Sequence, residues 1–330
     1  MATERGHGHE HSQAHQHEQT TRHEEHPHAH GGHEHAPAAE HGHEHGHGGH
    51  GHGGHEHGFN VESLRNNDSL YTGVYRQIID WLAIPRDASV LEAGSGAGGF
   101  TQLLAEAVVP HGGTVTALDE SDEMLHATRD LLTGGPHGAS VRYQQGDIGS
   151  LPFDRATFDL AWSSRTVHHL ADQLAGVREL ARVLKPGGRL VLREGSIRTR
   201  FLPDDIGLGE PGLEDRLDVA YHRWFAANVR HGGVRYPYGW LRMLTEAGLT
   251  NVTARTFMLE AIAPFDDVQV SYMGRHLRRW TDSDDRRAYL MPGDADILAA
   301  LLDPASDDFV FSRTDLYLHE PVTVYVGTAP

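Results

Sequence analysis

The chain has 330 residues, a formal net charge of −18 and no cysteine. Without cysteine it cannot form disulfides, thiolate metal sites or a cysteine nucleophile. Nucleic acid is not an expected partner, because phosphate binding needs concentrated positive charge. No apolar run approaches the about 18 residues of a membrane span, and the polar start lacks a signal-peptide pattern, so we expect a cytoplasmic protein that binds no membrane.

Residues 1–58 differ in composition from the rest of the chain. They hold 19 of the 28 histidines, interleaved with Gly, Glu and Ala, and almost no apolar side chains. Such a segment cannot offset the entropy lost when its backbone orders. We therefore expect a His-rich disordered tail over 1–58 and one folded domain over 59–330. The tail's two arginines against nine glutamates give −7, which leaves −11 of the −18 on the domain.

The tail contains His-x-His repeats, for example His41, His43, His45 and His47. Many imidazoles on a flexible chain can reach one ion, so the repeats predict binding of Ni²⁺, Zn²⁺, Cu²⁺ or Co²⁺. Two other interpretations stay open. The tail is either a solubilising extension or a segment whose charge responds to pH near the histidine pKa of about 6.5.

Helical spacing of apolar residues runs from Tyr71 to Ile84, with Ser69 as the expected cap and residues 59–68 as a connector. Tyr71 and Tyr75 lie one turn apart on this helix. They are predicted either to face a ligand or to pack on a sheet.

A strand over 88–92, a glycine-rich turn and a helix over 101–109 form the next unit. Gly94, Gly96 and Gly98 lack a Cβ where the chain turns sharply, and the helix start behind them offers free N–H groups. The unit is therefore predicted to hold a nucleotide-like ligand. The glycines alone fit both NAD and S-adenosylmethionine (SAM).

Carboxylates in the same region favour SAM. Glu92, two positions before the first glycine, suits a ligand with an ammonium group and would repel a pyrophosphate. The strand over 114–119 ends in Asp119, which is placed to accept from both ribose hydroxyls of either ligand. The strand over 141–145 leads to Asp147, which is expected to accept from an adenine amino group.

Strands alternate with helices as far as residue 194. The remaining members of this pattern are strands over 158–163 and 189–194 and helices over 122–132 and 171–184. Such alternation predicts a parallel, doubly wound sheet with its ligand at the strand C-termini. The polar residues that fall at those ends are Glu92, Asp119, Asp147 and Ser163.

Five motifs occur together: Glu92-x-Gly94-x-Gly96-x-Gly98, Leu118-Asp119-x-Ser121-x-x-Met124-Leu125, Gly146-Asp147 with Leu151-Pro152-Phe153, Phe158-Asp159-Leu160, and Leu184-Lys185-Pro186-Gly187-Gly188-Arg189-Leu190. In this order and spacing they resemble the class I SAM-dependent methyltransferases, most closely the methyltransferase type 11 group that includes ubiquinone and menaquinone C-methyltransferases. The resemblance covers roughly Val90 to Glu194. It implies an α/β fold with a doubly wound, mostly parallel, seven-stranded Rossmann-like sheet, SAM as cofactor and a small-molecule methyl acceptor.

The resemblance also assigns residues. The expected cofactor-binding residues are Tyr71, Glu92, Gly94, Ser95, Gly96, Gly98, Asp119, Glu120, Met124, Asp147, Ile148 and Ser163. His168 and His169 follow the fourth strand, at the position that faces both sulfonium and acceptor in this family. Either is a candidate base for a hydroxyl or amine acceptor, or the pair only caps a helix or walls the cofactor. The family's Asn-Pro-Pro-Tyr motif of amino-group methylation is absent, which disfavours DNA or protein glutamine as substrate.

Two insertions are expected to cap the acceptor. The first covers about 196–236 with a helix over 212–229, and the second covers about 266–312 with helices over 267–279 and 294–302. Aromatic side chains of the first insertion suit a small, partly apolar acceptor or form the cap's own core: Phe201, Tyr221, His222, Trp224, Phe225 and Tyr236. Candidates to contact polar substrate groups are Glu194, Arg198 and Arg200. The second insertion is predicted to be a lid or a homodimer surface.

A helix over 238–247 and strands over 251–260 and 316–327 complete the predicted fold, the strands as an antiparallel sixth and seventh. Three alternatives to a methyltransferase stay open. The chain could bind SAM as a scaffold without transferring methyl, handle Ni²⁺ or Zn²⁺ through its tail, or act as a nicotinamide dehydrogenase.

Overall fold

A computed structural model describes residues 60–195, 197–228 and 233–330. The strands are β1 (Ser89–Ala93), β2 (Thr114–Asp119), β3 (Val141–Gln145), β4 (Phe158–Ser164), β5 (Leu184–Arg193), β6 (Thr250–Ile262) and β7 (Tyr317–Thr328). The helices are α1 (Val61–Leu82), α2 (Gly99–Val108), α3 (Asp122–Leu132), α4 (Gln173–Arg182), α5 (Leu213–Asn228), α6 (Trp240–Glu246), α7 (Asp267–Thr281), α8 (Asp284–Arg287) and α9 (Asp294–Leu302). The histidine-rich tail, with the predicted metal ligands His41, His43, His45 and His47, lies outside the described residues.

The strands form one sheet in the order β3-β2-β1-β4-β5-β7-β6. Strands β1 to β5 pair in parallel, and β7 pairs antiparallel with both β5 and β6. The predicted antiparallel pairing of the last two strands is confirmed, but only β7 is reversed, because β6 runs in the direction of β1. The strand order reverses between β1 and β4, the place where a doubly wound sheet opens its ligand crevice.

Helix α1 begins well before the predicted start at Tyr71. The Asn60 side chain caps it by accepting from the Ser63 N–H at 2.8 Å. The predicted Ser69 cap is therefore wrong, and so is the predicted connector from residue 60 to residue 68; residue 59 lies outside the described residues. The first turns are polar and show little apolar period, so the sequence pattern did not reveal them.

Both faces of the sheet are buried. In β1, Val90 lies in one apolar cluster with Leu104 of α2, while Leu91 lies in the other with Leu180 of α4. Successive side chains of a strand point to opposite faces, so this alternation shows helices packed on each side. The strand ends are then the part of the sheet left for a ligand.

The two insertions that follow β5 and β6 are joined to each other. Arg216 of α5 forms an ion pair with the buried Asp294 of α9 at 2.9 Å. Trp224 of α5 donates its indole N–H to Asp285 of α8 at 2.9 Å. No helix in the described part of the chain has the length and apolarity to cross a membrane.

Candidate active site

The glycine loop connects β1 to α2 and is held against the end of β2. The backbone N–H groups of Gly94 and Ser95 both donate to the Leu118 carbonyl, at 2.8 and 3.0 Å. Gly94 has φ 83°, and a Cβ added there would overlap the Thr166 side chain. A larger residue at this position would therefore disturb the loop.

Asp119 lies at the end of β2, where the sequence placed it. Its carboxylate accepts from the Gly96 N–H at 2.9 Å and from the Ser121 N–H at 3.0 Å. Burial raises the pKa of Asp119, although these two hydrogen bonds act in the opposite direction. Each oxygen keeps a second lone pair, so the carboxylate can still accept from ligand hydroxyls.

Three carboxylates surround the start of α2. Glu92 is 2% exposed and accepts from the Thr101 hydroxyl. Its pKa is raised to about 8 by burial and by the charges of Asp68 and Asp119. Asp68 of α1 accepts from the Gly99 N–H at 3.1 Å, and burial raises its pKa to about 6. A bound cation would lower these raised pKa values, because it favours the charged form of each carboxylate.

Glu92, predicted to lie near an ammonium group, is enclosed in this structure. Ser163 is also enclosed, because its hydroxyl donates to the Ala93 carbonyl at 2.8 Å. Neither side chain is open to a ligand in this structure, since both are needed for contacts within the fold. Asp68 was missed because it lies in the segment taken for a connector.

The remaining predicted cofactor residues lie along the ends of β2 and β3. Asp147 is exposed and accepts from the Gly149 N–H at 2.7 Å, while Ile148 beside it is buried. Glu120 is exposed, and its carbonyl accepts from the Gln145 side chain at 2.9 Å, which joins the two strand ends. Met124 is half-buried in the first turn of α3. The structure thus brings these four residues to the same edge as Asp119.

Tyr71 and Tyr75 are buried in a polar cluster. The Tyr71 hydroxyl donates to Glu320 of β7 at 2.7 Å and lies 3.0 Å from the Tyr272 hydroxyl of α7. Arg193 donates to the Tyr75 hydroxyl at 2.9 Å and lies 4.2 Å from the centre of the Tyr71 ring. Of the two interpretations of these tyrosines, the contacts favour packing and hydrogen bonding.

A histidine–glutamate pair lies at the ends of β4 and β5. His168 Nδ1 is 2.7 Å from one oxygen of Glu194, and the other oxygen accepts from the Val167 N–H at 3.0 Å. The Glu194 side chain is fully buried and that of His168 is 20% exposed. A carboxylate that accepts from Nδ1–H leaves Nε2 as the proton acceptor of the ring. His169 is exposed and lies against His168, with 4.0 Å between the ring centres.

His168 lines a cavity of about 390 Å³. Its walls come from the ends of β4 and β5, from α5 and α7, and from β7. Such a volume suits a small ligand. The aromatic residues predicted to contact the acceptor do not all line the cavity. Those that line it are Phe201, Tyr221, His222 and Phe225. Trp224 is buried beside Asp285, and Tyr236 donates to Glu246 outside the cavity.

The short segment after β4 joins the glycine loop to this cavity. Thr166 packs on Gly94, while Arg165 and His168 on either side of it line the cavity. The glycine loop, which would hold a nucleotide-like ligand, therefore lies only one turn of chain away from the cavity wall that includes His168.

Comparison with known proteins agrees with this geometry. A family model described as a methyltransferase domain matches residues 91–192. The chain is 33% identical over 210 residues to a malonyl-[acyl-carrier protein] O-methyltransferase of Erwinia billingiae, which is 61% of this chain and 77% of that protein. The chain belongs to the SAM-dependent methyltransferases.

Other relatives match over shorter stretches of this methyltransferase. A ubiquinone/menaquinone biosynthesis C-methyltransferase of Idiomarina loihiensis is 35% identical over 134 residues, 39% of this chain and 53% of that protein. The match covers 42% of an uncharacterised 37.1 kDa protein in a Streptomyces fradiae transposon. Among solved structures, a Bacillus halodurans C-125 protein assigned as a methyltransferase aligns with TM-score 0.50 at 21% identity, over 78% of this chain and 98% of that one, which shows the same fold.

The residues of the methyltransferase's glycine loop fit SAM. Ser95 Oγ is buried and has no hydrogen-bond partner among the described residues, so it can bond a ligand. A Cβ at Gly96 would meet only Leu64 within 4 Å, at 3.8 Å, which leaves room beside the loop backbone. Together with the acceptor oxygens of Asp119, these groups suit a nucleoside with a cationic amino-acid end.

Several cavity residues were not predicted. Arg165, Tyr272, His276, Arg279 and Glu320 line it, and they come from a loop, α7 and β7. Only the pairing of β7 with β5 and the packing of α7 on α1 bring these distant segments together. No local pattern in the sequence indicates such an arrangement.

Proposed function

We propose that this methyltransferase transfers a methyl group from SAM to an oxygen of a small-molecule acceptor bound in the 390 Å³ cavity. The observation that carries the proposal is the His168–Glu194 pair on the cavity wall. A histidine held by a buried carboxylate is the arrangement expected of a general base. We also propose that residues 59–330 form the methyltransferase domain.

The cofactor would be held at the glycine loop and the ends of β2 and β3. The loop backbone from Gly94 to Gly98 and the free Ser95 hydroxyl would contact the amino-acid end, and Asp119 would accept from the ribose hydroxyls. Met124, Asp147 and Ile148 would surround the adenine. Glu92 is enclosed, and the ammonium would lower its raised pKa of about 8, so that the charged carboxylate would then stabilise the ammonium. When bound, SAM supplies a methyl group attached to a positively charged sulfur.

His168 would activate the acceptor. Its Nε2 would take the proton of the acceptor hydroxyl, and the ring would become positively charged. Glu194 holds the ring through Nδ1 at 2.7 Å and stabilises that charge. General-base catalysis of this kind contributes roughly 10²- to 10⁴-fold to the rate.

C-methylation of a phenol is the second candidate. One relative is an O-methyltransferase by name and another a C-methyltransferase, so the family resemblance does not choose between these products. Both reactions gain from removing a phenol proton, because phenolate is the better nucleophile at oxygen and at the ring carbon. His168 would serve as the base in either case.

Methyl transfer from ¹³C-methyl SAM to a panel of phenols, hydroxybenzoates and aliphatic alcohols tests the proposal. Mass spectrometry should find a labelled product, and NMR should place the label on oxygen. A label on ring carbon would favour the second candidate. If calorimetry shows SAM binding but no acceptor gains a label, the chain is a SAM-binding scaffold instead.

The tail is a separate question. We propose that residues 1–58 bind Ni²⁺ or Zn²⁺ through their His-x-His repeats without a role in methyl transfer. Deleting them should abolish Ni²⁺ binding and leave SAM affinity unchanged. Unchanged Ni²⁺ affinity after the deletion would contradict this assignment.

A further inference from the structure

The cavity carries more positive charge than its acidic side chains neutralise. The arginines that line it are Arg165, Arg193, Arg198, Arg200 and Arg279. Arg200 pairs with Asp215 and Asp218, at 2.8 and 2.7 Å, and Arg198 lies 3.9 Å from Asp218. Arg193 donates to Tyr75 at 2.9 Å. These three arginines therefore have contacts within the fold.

Arg165 and Arg279 differ from the other three. Within the described ranges, neither guanidinium forms an ion pair with a carboxylate, and Arg279 makes one hydrogen bond, from Nε to the His276 carbonyl at 2.9 Å. Glu320 acts on Arg165 and on Arg193 through its charge, but Tyr71 and Thr199 already donate to it. The single negative charge of Glu320 thus acts on the guanidinium groups of both Arg165 and Arg193.

Arg165 is held in an unusual backbone conformation beside His168. Its φ is 53°, the left-handed region that residues with a Cβ rarely adopt. Its N–H donates to the Arg193 carbonyl at 2.8 Å, which fixes the turn. The side chain is exposed and lines the cavity. Backbone strain of this kind persists mainly at ligand-binding and catalytic sites.

The charges of these arginines act on His276. Burial lowers the pKa of His276 well below its usual value, and the charges of Arg279, Arg165, Arg275 and Arg198 lower it further. Burial, together with Arg286 and Arg165, lowers the pKa of Arg279 to about 10. Five arginines and four carboxylates, those of Glu194, Glu214, Asp218 and Glu320, line the cavity, so its wall has a small excess of positive charge. The domain around it carries a net −11, from the −18 of the chain less the −7 of its tail.

We propose that Arg165 and Arg279 bind a carboxylate of the acceptor while the acceptor's hydroxyl lies at His168. A planar guanidinium matches a carboxylate with two parallel hydrogen bonds. Phe225 lines the cavity beside Tyr221, with 5.6 Å between the ring centres, and offers an apolar surface to an aromatic ring. The Tyr221 ring is itself covered by Arg198, whose guanidinium lies 4.4 Å from the ring centre. The substrate class is thus an aromatic hydroxycarboxylate. The inference rests on the proposed function for the role of this ligand as acceptor, but binding of the anion does not require catalysis.

The test uses benzoate as the carboxylate probe, benzamide as its neutral counterpart and phenyl phosphate as the phosphate probe, each titrated into the full chain by calorimetry. Benzoate should bind at least about tenfold more tightly than benzamide, as expected for a hydrogen-bonded charge. Arg165→Gln and Arg279→Gln should each weaken benzoate binding about tenfold or more. Arg223→Gln removes the same charge from the exposed surface of α5 outside the cavity and should leave the affinity within twofold.

Equal affinity for benzoate and benzamide, or unchanged benzoate affinity in both cavity variants, would overturn the inference. Tighter binding of phenyl phosphate than of benzoate would overturn the choice of a carboxylate. Arg279→Lys keeps the charge and should retain measurable benzoate binding if Arg279→Gln fails to fold. His168→Asn should bind benzoate like the wild type, so a failure of His168 as base leaves this result unaffected. Conversely, labelled methyl transfer to a hydroxyl acceptor together with equal binding of benzoate and benzamide would remove the inference and leave the proposed function.

Discussion

Replacing Asp119 tests the cofactor assignment. Asp119→Ala removes the carboxylate that would accept from the ribose and also removes two acceptors of the loop, those for the Gly96 and Ser121 N–H groups at 2.9 and 3.0 Å. Each hydrogen bond to a charged group contributes about 1.5 to 3 kcal/mol. We therefore expect SAM binding to weaken by about 2 kcal/mol or more, which is about 30-fold in the dissociation constant.

Calorimetric titration with SAM measures this change directly. Asp119→Asn keeps the shape and one acceptor oxygen, so its affinity should lie between those of the wild type and Asp119→Ala. Asp130→Asn is the matched control, because Asp130 is an exposed carboxylate on the neighbouring α3. Thermal unfolding of each variant in the absence of SAM separates loss of the contact from loss of the fold.

Equal SAM affinity in the wild type and Asp119→Ala would refute the reasoning. The ligand would then lie elsewhere, or the carboxylate would serve only the loop. If Asp130→Asn weakened SAM binding by the same amount, the loss would come from the change in overall charge, since the Asp130 side chain lies on the exposed surface of its helix.

The contacts of Glu194, Glu92 and Asp294 can each be tested by substitution. Glu194→Gln should lower the turnover of a hydroxyl acceptor about 100-fold, because the amide cannot stabilise a charged His168. Calorimetry should show SAM affinity within twofold of the wild type. Wild-type turnover in this variant would contradict the role of the His168–Glu194 pair. The folded chain holds the Glu92 proton up to about pH 8 whereas the unfolded chain releases it near 4.5, so the melting temperature without SAM should fall as the pH rises from 5 to 8. Glu92→Gln should reduce that slope, and an unchanged slope would show that other groups cause it. Asp294→Asn should lower the free energy of unfolding, measured in urea, by about 3 kcal/mol, because it leaves Arg216 without its charged partner. Asp315→Asn, at the more exposed pair with Arg313, should lower it by less than about 1 kcal/mol.

Local sequence patterns predicted the nucleotide-binding half well. β2, β3 and α3 have their predicted bounds, because alternating apolar runs and a capping Ser121 mark them in the sequence. The glycine loop and Asp119 were located by spacing alone. The polar start of α1 was missed, since its contacts are tertiary: Leu64 near Gly96 and Asp68 on the Gly99 N–H.

The acceptor side could be predicted only in part. His168 was one of two candidates, and the structure distinguishes it from His169 by its contact with Glu194, a residue 26 positions away in sequence. Arg165 and Arg279 belong to segments more than a hundred residues apart, and no local pattern relates them. The direction of β6 follows from its register with β7, for example Leu259 opposite Glu320, which depends on the whole sheet.

The turnover of His168→Asn tests whether His168 is the general base of methyl transfer. The acceptor is the hydroxylated compound that gives most product in the labelled-methyl screen, and His126→Asn on the exposed face of α3 is the matched control. His168→Asn should lower turnover at least about 100-fold with SAM affinity within twofold of the wild type, while His126→Asn should behave as the wild type. Wild-type turnover in His168→Asn would contradict that role.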